Sequence, residues 1–347
     1  MPTTRPDTLG TPGPLATRPP QHHRKLLAVI LLVPVITALT LWAFTWPAAR
    51  TAPRDLPLGV AGPATATAQI EERLAAQEGA FEIHRYADGA AARQAVEDRT
   101  VYGALVVTPE GPELLIASAG GPAVAQLLQQ AMTEQAAADG TQLRTVDVVP
   151  APANDPRGAA LTSSVLPMAL AGMAAGALVG ALGLTGVRAV AALLGSAALV
   201  GVVATAIGHS WLEVLTGDWW AEAGVLGLSV LAVSGAVAGL SALIGRAGVG
   251  IVAGVTMLLG NPFSGAGSAP QLLPEPAGAL GQWLPPGAGT SLLRSVSYFD
   301  GAGALVPALT LTAWAVLGLG AVVAGAALKA RRPDAAPVAE REPALVG

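Results

Sequence analysis

The stretch from Asn261 to Gly303, NPFSGAGSAPQLLPEPAGALGQWLPPGAGTSLLRSVSYFDGAG, lies between two apolar runs. It is too polar and too rich in Pro to cross a bilayer, and too apolar for a plain solvated loop. Pro at a first turn and Gly at an end are helix start and stop signals. Two short helices are therefore expected, Ala269–Leu284 and Thr290–Phe299, joined by Pro285-Pro286-Gly287. Leu292, Leu293, Val296 and Phe299 fall on one helical face, with Arg294 and Ser295 elsewhere. Between two spans, such a segment reads as helices lying in the interface or re-entering it. Irregular backbone at that depth survives only when covered by protein or lining a water-filled cavity. The stretch is expected to be the outer lid of a pathway through the membrane; the alternative is an ordered outer loop that only packs over the bundle. Asn261, Pro262, Phe263, Pro285, Pro286, Gly287, Arg294, Tyr298 and Phe299 are its candidate lid or translocation residues.

Working outward, the 347-residue chain is 52% hydrophobic and only 12% charged, with mean hydropathy +0.55. That charge content is about half the roughly 25% of soluble proteins, which makes the chain an integral membrane protein. No Cys is present, so disulfides, thiol chemistry and Cys-based zinc sites are excluded. The net charge of −4 says little, because charge is segregated by region.

Residues 1–25 are rich in Pro and Thr and read as a disordered tail ending in His22-His23-Arg24-Lys25. Residues 26–46 are a charge-free apolar run long enough for one span. A cleaved signal peptide is the rival reading, but the run exceeds the usual apolar region of about 7–15 residues, and Trp46-Pro47-Ala48-Ala49 is a poor cleavage site. Residues 50–157 differ in kind. Charges return, and strand-like stretches (56–61, 81–86, 101–108, 113–118, 143–149) alternate with helix-like ones (65–79, 88–99, 121–139), Asp88 serving as a cap. This is expected to be a compact α/β domain, with 150–156 as its exit linker. Downstream, 159–182, 189–207, 222–244, 247–260 and 304–328 read as five further spans, the fourth of these short, followed by a polar tail at 329–347.

The tails and turns on one side carry Arg24, Lys25, Arg188, Arg246, Lys329, Arg331 and Arg332, whereas the loop 208–221 carries no Lys or Arg. Cytoplasmic loops collect Lys and Arg, so both termini are expected inside and the α/β domain and lid outside. The expected fold is thus an α-helical polytopic protein of six transmembrane helices, with an extracytoplasmic α/β domain between the first and second and a five-helix domain at 159–328. Trp42, Trp46, Trp211, Trp219, Trp220 and Trp283 fall at or beyond the outer boundary, as an aromatic belt would.

Chemistry-bearing patterns are sparse. GxxxxGK[ST] is absent and the only Lys residues are Lys25 and Lys329, so the chain by itself is not expected to hydrolyse ATP. His209, Glu213 and Asp218 share one loop without a metal-ligand spacing. No catalytic grouping, cofactor, metal or nucleic-acid partner is expected. The spans are read as free of buried ionisable groups, Glu222 lying at an end, which argues against an ion-coupled carrier. Gly172, Gly176 and Gly180, and Gly235 with Gly239, form small-xxx-small repeats that let helices approach closely, within the chain or in a homodimer.

Tyr86-Ala-Asp88-Gly-Ala-Ala-Ala-Arg93 and Tyr102-Gly-Ala-Leu-Val-Val107 in the outer domain, then Asn261-Pro262-Phe263-Ser264-Gly265, Leu284-Pro285-Pro286-Gly287-Ala288, Leu293-Arg294 and Tyr298-Phe299-Asp300-Gly301 in the lid, occur in a non-generic order. Over residues 26–328 the chain resembles the ABC-2-type transporter permeases, closest to the bacterial YhgE/phage-infection-protein-like branch. The resemblance implies a multi-pass bacterial plasma-membrane permease, embedded in membrane lipid, that dimerises and exports a lipid, glycoconjugate, drug or peptide with a separate cytoplasmic ATPase. Two features depart from it. The turn 183–188 is short for a helix that docks on an ATPase, and the tail before Leu26 has no amphipathic helix. They leave a second expectation, a cell-surface binding or scaffold protein whose outer domain recognises an envelope component or phage.

Overall fold

The computed structural model describes residues 21–331; residues 1–20 of the expected tail 1–25, residues 332–347 of the expected tail 329–347, and the side chains of residues 21–24 lie outside it. Helix α1 (Gln21–Ala49) begins inside the expected N-terminal tail.

After α1 comes the α/β domain: β1 (Leu56–Ala61), α2 (Ala64–Ala75), β2 (Phe81–Tyr86), α3 (Gly89–Glu97), β3 (Gly103–Thr108), β4 (Gly111–Ile116), α4 (Pro122–Ala138) and β5 (Arg144–Asp147). The strands form one sheet in the order β2-β1-β3-β4-β5. β1 runs parallel to β2 and β3, with Leu56 opposite Phe81 and Leu58 opposite Gly103, and β3 turns back antiparallel onto β4. Asp88 caps α3 as its side chain predicts, Oδ1 accepting from the Ala91 N–H at 2.8 Å. Leu56, Leu58, Leu114 and Leu128 are fully buried at the centre of the core on one side of the sheet.

The helical part comprises α5 (Ala159–Ala181), α6 (Gly186–Thr205, continued by a π-turn to Trp211), α7 (Trp219–Ile244), α8 (Arg246–Val255, continued by a π-turn to Gly260), α9 (Ala277–Gln282), α10 (Pro285–Tyr298) and α11 (Leu305–Ala330). Asp155, read from sequence as linker, caps α5: its two carboxylate oxygens accept from the Ala159 and Ala160 N–H groups at 2.7 and 2.9 Å. Helix α7 is the hub, packing against α5, α6, α8, α10 and α11. Its neighbours carry large apolar side chains on their outer faces, such as Leu199, Val316 and Leu317. A soluble helix hides that face; here the polarity is reversed, as it must be in hydrocarbon.

Five helices, α1, α5, α6, α7 and α11, are long and apolar enough to cross a bilayer. The remaining expected span is shorter. α8 and its π-turn total 15 residues, about 22 Å at 1.5 Å per residue against a hydrocarbon core of about 30 Å. The helix ends with Asn261 as its cap residue, and the next residue, Pro262, has no N–H to donate a further backbone hydrogen bond.

Four of the five repeat glycines pack against another helix of the chain. A Cβ on Gly176 would lie 2.6 Å from the Ser234 carbonyl oxygen, and one on Gly172 would lie 2.7 Å from Val233 Cβ, both on α7. Gly239 closes against Gly318 of α11, and Gly235 lies 3.5 Å from the Ala315 oxygen by the same measure. Gly180 meets only Ser241 Oγ, at 3.8 Å.

Candidate functional site

The lid has a different internal layout from the one expected. Ala269–Leu284 is not a single helix: a short 3₁₀ turn, Pro270–Leu272, is separated from α9 by Leu273-Pro274-Glu275-Pro276. Two prolines in four residues leave too few backbone donors to carry a helix across. Pro285-Pro286-Gly287 is not a joint but the opening turn of α10, with Leu284 extended as its cap residue. A Pro whose N–H is missing costs nothing there, because first-turn N–H groups have no intrahelical partner.

The lid is a wedge with two working faces. Ala288, Leu292 and Leu293 join a core with Leu161, Val225, Leu226 and Leu311 of the bundle. On the other side, Ala269 and Leu272 enter the core of the sheet, and Phe299 enters a second domain cluster with Ala92, Val101 and Ala117. Phe299 was expected on the Leu292–Leu293–Val296 face; it departs because α10 ends at Tyr298 and the chain turns. The Ala52 and Arg54 N–H groups donate to the Leu272 and Gln271 carbonyls at 3.1 and 2.9 Å, joining the lid to the segment that leads into β1. Domain and bundle are thus joined through the lid, which does more than cover the bundle.

Two arginines meet at this joint. Arg99, just past α3 at φ +57°, donates from Nη1 to the Ser291 carbonyl at 3.1 Å and to Ser295 Oγ, and its guanidinium carbon lies 5.2 Å from the centre of the Phe299 ring. Arg294 is 4% exposed and donates from Nη2 to the Ala266 carbonyl at 3.1 Å. The sequence suggested a carboxylate such as Asp300 for it; Asp300 is exposed, at φ +50°, and makes no ion pair with it. Among the described residues no carboxylate pairs with either arginine. Burial, and after it the nearby Arg294 charge, lowers the Arg99 pKa to about 10; burial also lowers that of Arg294. Both line a cavity of about 360 Å³ between domain and lid, with Tyr102, Gln271, Gln282 and Pro307. Tyr102 donates to Gln271 Oε1 at 2.7 Å across the same joint.

The other candidate residues do not converge there. Phe263 is buried and stands edge to face with Trp46, ring centres 6.3 Å apart. The Asn261 carbonyl accepts from Ser264 Oγ at 2.7 Å, and Pro262 lies in the turn after α8. Gly287 packs on the Gly281 carbonyl. Pro285 and Pro286 border a crevice of about 30 Å³ between α5, α7 and α10, room for roughly one water. Tyr298 donates to the Val214 carbonyl at 2.7 Å, tying α10 to the loop before α7.

That loop holds a pair the sequence did not expose. Glu222 is fully buried in the first turn of α7; one carboxylate oxygen lies 2.8 Å from His209 Nδ1 and the other accepts from the Gly217 N–H at 2.8 Å. The reading of the spans as free of buried ionisable groups is corrected by this residue. His209 is thereby drawn away from Glu213, which faces Asn154, and from Asp218, which caps α7 through the Ala221 N–H at 2.8 Å. Arg99 and Tyr102 were missed because their roles come from lid residues packed far along the chain; Glu222 was missed because the loop just before it folds back over it, and only its apolar flanking residues hinted at burial.

At the opposite end of the bundle, the α5–α6 turn, the α7–α8 turn and the end of α11 enclose a crevice of about 430 Å³ bordered by Arg246 and Lys329. The cationic turns are therefore gathered at one end, with the lid at the other.

No family model, curated protein or solved structure matches this chain.

Proposed function

We propose that this chain is the membrane permease subunit of an exporter, moving a lipid, glycoconjugate, drug or peptide outward with energy from a separate cytoplasmic ATPase. The observation that carries the reading is the half-length α8 followed by the buried α9–α10 wedge, set between long apolar helices and braced by a folded α/β domain. A broken helical segment supported by protein is how membrane proteins place irregular backbone along a pathway. In this reading both termini are cytoplasmic, α8 completes a sixth crossing with the lid filling its outer end, and the α/β domain is extracytoplasmic in a bacterial plasma membrane. The crevice beside Arg246 and Lys329 is then the docking place for the ATPase.

Affinity purification from the source membranes should recover ATP hydrolysis with the chain, and Arg246→Glu with Lys329→Glu should release it. Isolation free of ATPase, together with nucleotide-independent behaviour in reconstituted vesicles, would defeat the proposal.

A second reading, a cell-surface binding protein, is favoured by one observation. A crevice of about 700 Å³ opens at the carboxyl ends of β1, β2 and β3, bordered by Gly62, Asp88 and Arg93. Open α/β sheets bind ligands at that edge. Arg93→Glu in the whole chain should abolish capture of an envelope component if this reading holds; unchanged capture would end it.

A further inference from the structure

We infer that the Arg99–Arg294 cavity is a binding site for the phosphate of a phospholipid whose acyl chain runs down the neighbouring groove along α11.

Two guanidinium groups sharing one cavity repel, and both have lost water, Arg294 as a buried side chain and Arg99 as a half-buried one. Buried charge of this kind is normally paired. Here the contacts are three neutral acceptors, the Ser291 and Ala266 carbonyls and Ser295 Oγ, plus the face of Phe299. Each guanidinium carries five N–H donors in a fork that fits phosphate or carboxylate oxygens, so most of the donor capacity is unspent. The cavity of about 360 Å³ is within the size range of small-ligand sites. An oxyanion there would take up the spare donors and offset the repulsion between the two cations.

The lipid assignment comes from what adjoins the cavity. Gln282 and Pro307 line it, while Trp283, beside Gln282, and Thr310, about one turn beyond Pro307 on α11, line a second hollow of about 310 Å³ between α7, α8 and α11. Its walls are almost wholly apolar, including Leu240, Val252 and Leu317. Because α8 is short, α11 is left uncovered along this groove. Trp314 donates to the Trp283 carbonyl at 2.8 Å where the two hollows approach, placing two indoles at the boundary between polar and apolar walls. A cationic pocket one helical turn above an apolar furrow matches a phosphate head and a hydrocarbon tail, whereas a soluble phosphate would leave the furrow unused. The inference needs the bundle to sit in a membrane, but not a partner ATPase.

The test uses the full chain in detergent micelles, with no nucleotide or ATPase present, so that its failure and that of the exporter reading are separable. Binding is measured for fluorescent phosphatidylglycerol, for diacylglycerol with the same chains, and for inorganic phosphate. Phosphatidylglycerol should bind at least about tenfold more tightly than either comparison ligand. Arg294→Gln and Arg99→Gln should each weaken it by about tenfold or more. Arg294→Lys, which keeps the charge but not the fork, guards against misfolding and should fall between. Leu317→Trp, which fills the furrow and leaves the arginines alone, should weaken phosphatidylglycerol and leave inorganic phosphate unchanged. Equal binding of diacylglycerol, or unaltered binding in folded Arg99 and Arg294 variants, would overturn the site. Inorganic phosphate binding as tightly as the lipid would overturn the lipid assignment in favour of a soluble anion.

Discussion

Glu222 and His209, thirteen residues apart in sequence, meet at 2.8 Å where the end of α6 crosses the start of α7, with the Glu222 side chain closed off from solvent. The same carboxylate holds the Gly217 N–H, so one side chain pins two turns of the loop. Glu222→Ala strands both partners and should cost about 2–4 kcal/mol, since each stranded polar group costs about 1–3 kcal/mol. Glu222→Gln keeps an acceptor for Gly217 and should cost clearly less. Thermal unfolding in detergent measures both; an alanine variant that melts with the parent chain would show that the pair is ornamental.

Close helix packing gives a contrast within one helix. A Cβ at Gly176 meets the Ser234 carbonyl oxygen at 2.6 Å and Val237 Cβ at 2.7 Å, whereas one at Gly180, a turn further on, meets only a serine hydroxyl at 3.8 Å. Gly176→Ala should destabilise by about 1–3 kcal/mol through forced separation of α5 and α7. Gly180→Ala should be neutral in the same melting assay, or slightly stabilising because it restricts the unfolded chain. Equal effects at the two positions would mean that α5 does not sit on α7 as described.

How much of this could be read from the sequence depends on whether local pattern or distant packing decides. The long apolar helices were legible because a charge-free run of about 20 residues has few alternatives, and β1 and β2 because flanking turns bounded them. The Asp88 cap was legible because it acts within three residues. The interior of the lid was not. Its composition announced short helices, but the interruption at Leu273–Pro276 and the start of α10 at Pro285 depend on which of several prolines sits in a first turn. The opposed duties of Phe299 and Leu292 also follow from the sheet domain packing against the lid, for which sequence spacing offers no sign. The burial of Glu222 is set by the loop that folds back over it, and sequence position at a span end pointed the other way. Arg99 and Arg294, 195 positions apart in sequence, come to line one cavity only through tertiary packing.

The chain has three tyrosines, Tyr86, Tyr102 and Tyr298, and burial raises the pKa of each above its ordinary value of 10.0. The folded state therefore holds phenolic protons that the unfolded state releases. Their contribution to stability is complete below pH 10 and is lost as pH rises through the higher folded values. Tyrosinate absorbance should thus lag behind that of a free tyrosine on alkaline titration and then jump as the chain unfolds. Tyr298→Phe, which removes the bond to the Val214 carbonyl, should lower the neutral-pH melting point and shrink that jump by one residue. A smooth titration centred at the free-tyrosine value would contradict the raised values of all three.

The lid residue Leu272 is 1% exposed and lies in the core of the sheet with Leu56, Leu58 and Leu128, more than 140 residues from the nearest of them in sequence. If the lid is structurally part of the α/β domain, shortening Leu272 should loosen the domain rather than the bundle. Leu272→Ala removes a buried side chain from a packed site and should cost about 2–5 kcal/mol. The readout is amide hydrogen exchange: protection should fall in β1 and α4, which meet Leu272, while α5 and α11 keep theirs. Leu292→Ala on the opposite face should do the reverse, since Leu292 packs with Leu161 and Leu311. Loss of protection confined to residues 261–303 in both variants would mean that the lid lies on the two bodies without joining them. In that case no movement of the sheet domain could reach the bundle through it.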